Sequence, residues 1–173
     1  MKKLWLLPVL VIVVIGILLV YTFTRPDGYV RLETPGVQGS ISLYGNWGRG
    51  ITLTSEAEPQ TVRSGTYQPR QIDLLAKQGV DWYRLYSSGP WGQMGTIEVK
   101  PEETTVVQPG PPFTLKADVD RHGRYVSIGF SIIGRLGEEY SSVVKNGKRT
   151  ATPTVKIVDS GGNTLASGKF EYG

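Results

Sequence analysis

Phe113-Thr114-Leu115-Lys116-Ala117-Asp118-Val119-Asp120-Arg121-His122-Gly123-Arg124-Tyr125-Val126-Ser127-Ile128-Gly129-Phe130-Ser131-Ile132 is the stretch that decides the fold. Apolar and polar residues alternate on both sides of Arg121-His122-Gly123-Arg124, the two-residue period of a half-buried strand. With those four residues as the loop, Asp120 pairs with Tyr125. Val119 then faces Val126, Ala117 faces Ile128, Leu115 faces Phe130 and Phe113 faces Ile132. The other face sets Asp118 against Ser127, Lys116 against Gly129 and Thr114 against Ser131. A slip of one residue would carry the apolar set into water, so the pattern specifies the register. A sheet with one dry face requires a second layer, and the expected fold class is all-β, an antiparallel β-sandwich.

Working outward, the chain beyond Arg25 keeps this character. Short period-two segments are separated by turn chemistry, and only residues 72–78 could pass as a turn of helix. Lys145-Asn146-Gly147-Lys148 holds an Asn-Gly pair, the strongest two-residue hairpin signal. Asp159-Ser160-Gly161-Gly162-Asn163-Thr164 marks a second hairpin, with glycine supplying positive φ. Gln108-Pro109-Gly110-Pro111-Pro112 is proline-rich and aperiodic, which makes it the expected boundary between a module at 25–110 and a module at 111–173. A piece of that second size buries its core poorly alone. The two are therefore expected to pack together or to form one continuous sandwich.

The N-terminus reads differently. After a stub at 1–3 containing Lys2 and Lys3 comes LWLLPVLVIVVIGILLVYTF, residues 4–23, twenty residues without a charge. Fifteen of them are Leu, Ile, Val or Phe, each worth roughly −0.3 to −0.6 kcal/mol near a bilayer centre. As a helix the run would reach about 30 Å, the thickness of a hydrocarbon core. It exceeds the roughly 7–15 residues of a signal-peptide core and ends without an Ala-x-Ala pattern. The expectation is a retained transmembrane signal anchor over 4–24, with Leu4, Trp5, Ile12, Ile15, Leu19 and Phe23 in contact with lipid. Lys2 and Lys3 would keep the N-terminus inside the cell.

That topology changes the meaning of the net charge of +4. Lys2, Lys3 and Arg25 flank the apolar run, and the rest of the chain carries sixteen basic and fifteen acidic residues. There is no basic run or stripe, so no nucleic-acid partner is expected.

Three local patterns carry a resemblance. The run Val155-Lys156-Ile157-Val158-Asp159-Ser160-Gly161-Gly162-Asn163-Thr164-Leu165-Ala166-Ser167-Gly168-Lys169-Phe170 resembles an immunoglobulin-like or transthyretin-like β-module. Val62-Arg63-Ser64-Gly65-Thr66-Tyr67 is similar to a strand start in carboxypeptidase-regulatory-like modules, although the Pro-Glu-Gly-Ala motif of PEGA modules is absent. With the anchor, Gly89-Pro90-Trp91-Gly92 and the Gly-Pro-Pro segment, the whole looks like membrane-anchored bacterial envelope proteins. The resemblance implies a β-sandwich on the periplasmic or extracellular side of a bacterial cytoplasmic membrane. It implies no activity.

The inventory of reactive groups is thin. The chain has no cysteine, hence no disulfide, thiolate metal site or cysteine nucleophile. Its one histidine, His122, sits in a hairpin tip and there is no Gly-x-Ser-x-Gly elbow, so no Ser–His–Asp site is expected. Asp118 and Asp120 share one strand face, but on the solvent side, where burial cannot raise a carboxyl pKa. Gly45-Asn46-Trp47-Gly48-Arg49-Gly50 lacks phosphate-loop spacing. No catalytic residue, metal or cofactor is expected. The aromatic residues Trp47, Trp82, Tyr86 and Trp91 form the one constellation with binding potential, since exposed rings stack on sugars or anchor a protein partner. The competing reading has Trp47, Trp82 and Trp91 filling the sandwich or the junction between its halves, since aromatics dominate β-cores. The expectation is a non-catalytic, membrane-anchored extracytoplasmic module with a protein-interaction or structural role in the cell envelope. The alternative is a polysaccharide-binding module built on those aromatics.

Overall fold

Helix α1 (Leu6–Phe23) precedes the strands in the computed structural model, which describes residues 6–23, 26–45, 48 and 50–170. The strands are β1 (Asp27–Leu32), β2 (Gln38–Gly45), β3 (Gly50–Thr54), β4 (Gln60–Arg63), β5 (Gly65–Gln78), β6 (Asp81–Ser87), β7 (Ile97–Val99) and β8 (Thr104–Val107). They continue as β9 (Thr114–His122), β10 (Tyr125–Ile133), β11 (Glu139–Tyr140), β12 (Ser142–Lys145), β13 (Lys148–Arg149), β14 (Thr154–Val158) and β15 (Thr164–Lys169). The protein is thus predominantly β, as the alternation of its sequence implies.

Two sheets share one core. A small sheet runs β4-β1-β8, antiparallel between β1 and β4 and parallel between β1 and β8. The large sheet runs β13-β12-β6-β5-β2-β3, with β7 added to the start of β5. Val30, Leu32, Val62 and Val107 from the small sheet join Ile41, Leu43, Leu53, Ile72, Leu74 and Leu85 from the large one in a single buried cluster. Each such side chain contributes roughly 1.5–3 kcal/mol on leaving water. β5 is the spine, one strand through Pro69 where a proline would ordinarily interrupt pairing. A bulge accommodates it: Ser42 pairs with Gln71 and Leu43 with Pro69, leaving Arg70 as the extra residue. The Arg70 guanidinium lies 5.4 Å from the centre of the Tyr44 ring. Residues 72–78, which could have been a helical turn, belong to β5.

Gln108–Pro112 is built into this body. Pro109 is fully buried, and β12 pairs with β6, so strands on both sides of the proline-rich stretch lie in one sheet. The tie is Glu138, a carboxylate with no exposed surface. Its Oε1 accepts from the Gly110 amide at 2.6 Å and the Tyr140 hydroxyl at 2.9 Å, and its Oε2 accepts from the Leu136 amide at 2.9 Å. Gly134 carries no Cβ because one would overlap Glu138 Oε1. Burial, then the Glu138 charge and hydrogen bond, push the Tyr140 phenol far above its usual range, so it remains a donor.

From this base projects the β9–β10 ribbon, in a register that differs from the expected one. Tyr125 pairs with His122, not Asp120, and Val119 pairs with Ile128, Ala117 with Phe130 and Leu115 with Ile132. The turn has two residues, Gly123 at φ +63° and Arg124, in place of four. The shift moves each partner by two, so the apolar residues keep one face. The expected covering layer is missing over most of that face. Phe113 meets Tyr140 at 5.4 Å and Phe130 meets Phe170 at 4.7 Å between ring centroids, but Leu115 is 72% exposed and Val119 66%. β14 and β15 form the expected second hairpin as a separate two-stranded sheet. Lys145-Asn146-Gly147-Lys148 closes β12 onto β13, with φ +49° at Asn146 and +79° at Gly147.

The N-terminal expectation is met only as a helix. Among the described residues no helix is long and apolar enough to cross a membrane. The 18 residues of α1 reach about 27 Å, against roughly 30 Å for a hydrocarbon core. Leu4 and Trp5, which complete the twenty-residue run, lie outside the described residues. Ile12 and Ile15 are exposed, as are Leu10, Val11, Val13, Val14, Ile17 and Val20, so the apolar surface runs around the helix.

Removing the buried carboxylate tests the tie. Glu138→Ala leaves three buried donors without an acceptor, at about 1–3 kcal/mol each. A loss of about 3 kcal/mol or more is expected in urea unfolding followed by tryptophan fluorescence.

Candidate functional site

The outer face of the large sheet carries an open groove. Because Ile41, Leu43, Ile72, Leu74 and Leu85 turn inward, Ser40, Ser42, Asp73, Leu75, Arg84 and Tyr86 turn outward. Register aligns them in rows: Thr54, Ser40, Asp73, Tyr86 and Ser142 in one, Gln38, Leu75, Arg84 and Val144 in the next. A groove of about 570 Å³ runs across these rows, with Trp82, Lys77 and Glu56 on its walls. Its lining is mixed: an indole and Leu75 offer apolar surface, while hydroxyls, an amide and charges offer hydrogen bonds.

Three sets of polar contacts shape it. Arg84 grips Asp73 through Nε, at 2.7 Å to Oδ1 and 2.8 Å to Oδ2, and through Nη2 to Oδ2. The Asp73 hydrogen bonds and charge raise the Arg84 pKa, so the cation is permanent. The Gln38 amide donates to Glu56 at 2.5 Å. At the far wall the Asn146 side chain accepts from the Trp82 amide at 2.9 Å and donates to Asp81 at 2.6 Å, while Lys145 Nζ lies 2.6 Å from Asp81. The Asn-Gly turn of one hairpin therefore positions the tryptophan of another strand. Sequence reasoning found the turn and the tryptophan separately. Their contact, across more than sixty residues of chain, left no local signal.

Of the four aromatics expected to act together, the structure brings one into the groove. Trp82 lines it. Tyr86 is half-buried on the same outer face and does not line the groove. Trp91 is half-buried against the core, its ring beside Gly89. Trp47 lies outside the described residues. Elsewhere, His122 Nε2 stands 3.4 Å from Asp120 and Lys116 3.0 Å from Asp118, all exposed on the ribbon. Among the described residues no three His, Cys, Asp or Glu side chains converge as a metal site. The arrangement can bind and orient polar ligands.

No protein-family model, no curated protein and no solved structure matches the chain.

The Asp81–Lys145 pair gives a pH signature. Hydrogen bonds from Lys145 and then Asn146 lower the Asp81 pKa, and the Asp81 hydrogen bond leads in raising that of Lys145. The lowered carboxyl stabilises the fold above its unfolded pKa and loses that contribution as pH falls through the folded value. The raised amine contributes below its unfolded pKa and stops contributing as pH rises through the folded one. Carboxyl NMR titration is expected to place Asp81 below the ordinary aspartate range in the native chain and to move it up toward that range in Lys145→Ala, where the Asn146 hydrogen bond remains.

Proposed function

We propose that this is a non-catalytic, membrane-anchored extracytoplasmic β-sandwich protein that acts by association in the bacterial cell envelope. The observation that carries the reading is apolar surface left outside the core in two places. Helix α1 is apolar around its circumference, the pattern of a helix made for lipid or for a protein interior. The ribbon exposes Leu115, Val119, Tyr125 and Val126 on a strand pair that the core does not need. The anchor spans residues 4–24 in this reading, holds the N-terminus inside, and places the β-region on the periplasmic or extracellular side. The sandwich is read as immunoglobulin-like or transthyretin-like, with its two sheets around one core in support.

A second reading, polysaccharide binding, is favoured by the groove. An indole wall beside rows of hydroxyl, amide and ion-paired side chains suits a sugar, which presents an apolar ring face and hydroxyl edges. Tyr86 and Trp91 would then act outside the groove.

The full chain is expected to stay in the membrane pellet after alkaline carbonate extraction and to show no turnover in broad hydrolase screens. Release into the aqueous fraction would sink the anchor, and turnover would sink the non-catalytic role. For the second reading, Trp82→Ala should lower retention on the native envelope polysaccharide at least tenfold; unchanged retention removes it.

A further inference from the structure

We propose that the protein self-associates through β9, two copies pairing this strand antiparallel about a two-fold axis at Ala117. This names the partner within the association role above, and it rests on the ribbon rather than on the anchor.

The edge is open. β9 pairs with β10 on one side, and among the described residues no strand lies on its other side. All nine of its residues are exposed. An edge of this length is a template for another strand unless its side chains forbid pairing. In β9 the charges select rather than forbid. Leu115, Ala117 and Val119 lie on one face, Lys116, Asp118 and Asp120 on the other.

Antiparallel self-pairing can be centred at several residues, and charge separates them. Any register centred between two residues sets odd positions against even ones, apolar against polar. Centred on Lys116, the strand opposes Lys116 to itself; centred on Asp118, it opposes Asp118 to itself; centred on Val119, it opposes Asp118 to Asp120 twice. Like charges directly opposite are destabilising. Centred on Ala117, Lys116 faces Asp118 twice, Leu115 faces Val119 twice and Ala117 faces itself. Registers centred on Thr114 or Leu115 pair at most three residues of β9; among those that pair five or more, this is the one without a like-charge pair, and it keeps every apolar residue on one face. Lys116 and Asp118 already lie 3.0 Å apart within the strand, so the two charges need only exchange partners. The contact is isologous and closes at two copies. Tethering in one membrane would raise the effective concentration of the two edges.

The chain has no cysteine, so Ala117→Cys introduces a lone thiol on the axis. Antiparallel partners stand about 4.5–5.5 Å apart at Cα. A thiol at Arg121→Cys, four residues from the axis, would be roughly 27 Å from its copy. Full-length chain in membranes, treated with a short bismaleimide, is expected to give at least ten times more covalent homodimer for Ala117→Cys than for Arg121→Cys. Adding Asp118→Lys or Lys116→Asp to Ala117→Cys should each lower that yield at least tenfold. The two charge variants, co-expressed with different tags, should cross-link to one another as well as Ala117→Cys alone. That rescue is intermolecular, so a role for the charges within one chain cannot imitate it. Equal yields at 117 and 121, no homodimer at 117, capture of a different protein at 117, or absence of the mixed rescue would each overturn the proposal. Cross-linking at 117 in a chain that leaves the membrane under carbonate would sink the anchor alone.

Discussion

The projecting part of this molecule depends on one buried carboxylate. Glu138 accepts from the amide of Gly110, where the chain leaves the core for the ribbon, and from the amide of Leu136, just after it returns. The Tyr140 hydroxyl completes the set and ties it to β11. A carboxyl group in such a place is tolerable only when its oxygens find hydrogen-bond partners, and no buried side-chain polar atom among the described residues lacks a partner. The backbone around it is fitted to the carboxylate: Gly134 leaves room for Oε1, and the Leu136 carbonyl accepts from the Gln93 amide at 2.7 Å. The ribbon is thereby held at its base by polar contacts while its length stays outside the core.

Much of the fold was legible because it rests on period-two alternation. The inward positions Ile41, Leu43, Ile72, Leu74 and Leu85 fall where alternation puts them, and both Gly-containing turns at 146–147 and 161–162 close hairpins. What failed to show did so for physical reasons. The apolar face of the ribbon is compatible with a four-residue loop or a two-residue turn, since the two registers differ by an even shift; only the backbone at Gly123 separates them. The proline-rich stretch reads as a linker by composition, yet Glu138, nearly thirty residues on, makes it part of the core. The groove was half legible. Period two puts Trp82 and Arg84 on the face opposite Leu85, but the grip of Arg84 on Asp73 depends on which strand lies beside β6.

The proposed association role rests on the same features. Groups that could act as acid, base or nucleophile are scattered: His122 and Asp120 at a ribbon tip, Glu138 saturated by its three donors, Asp73 occupied by Arg84. Apolar surface, by contrast, lies where the core does not need it. Alternating charges on β9 turn an edge that would otherwise pair indiscriminately into one that tolerates few registers. The groove on the large sheet shares no lining residue with that edge.

Amide hydrogen exchange on the full chain in bilayers, at high and low protein-to-lipid ratio, tests most directly whether a clamped body presents a strand edge for association. The expected result is slow exchange in β2 and β5 at both ratios. Amides of β9 that the ladder with β10 leaves facing the open edge should be protected at high protein density and exchange freely on dilution. Exchange in β9 at one rate regardless of density would contradict it.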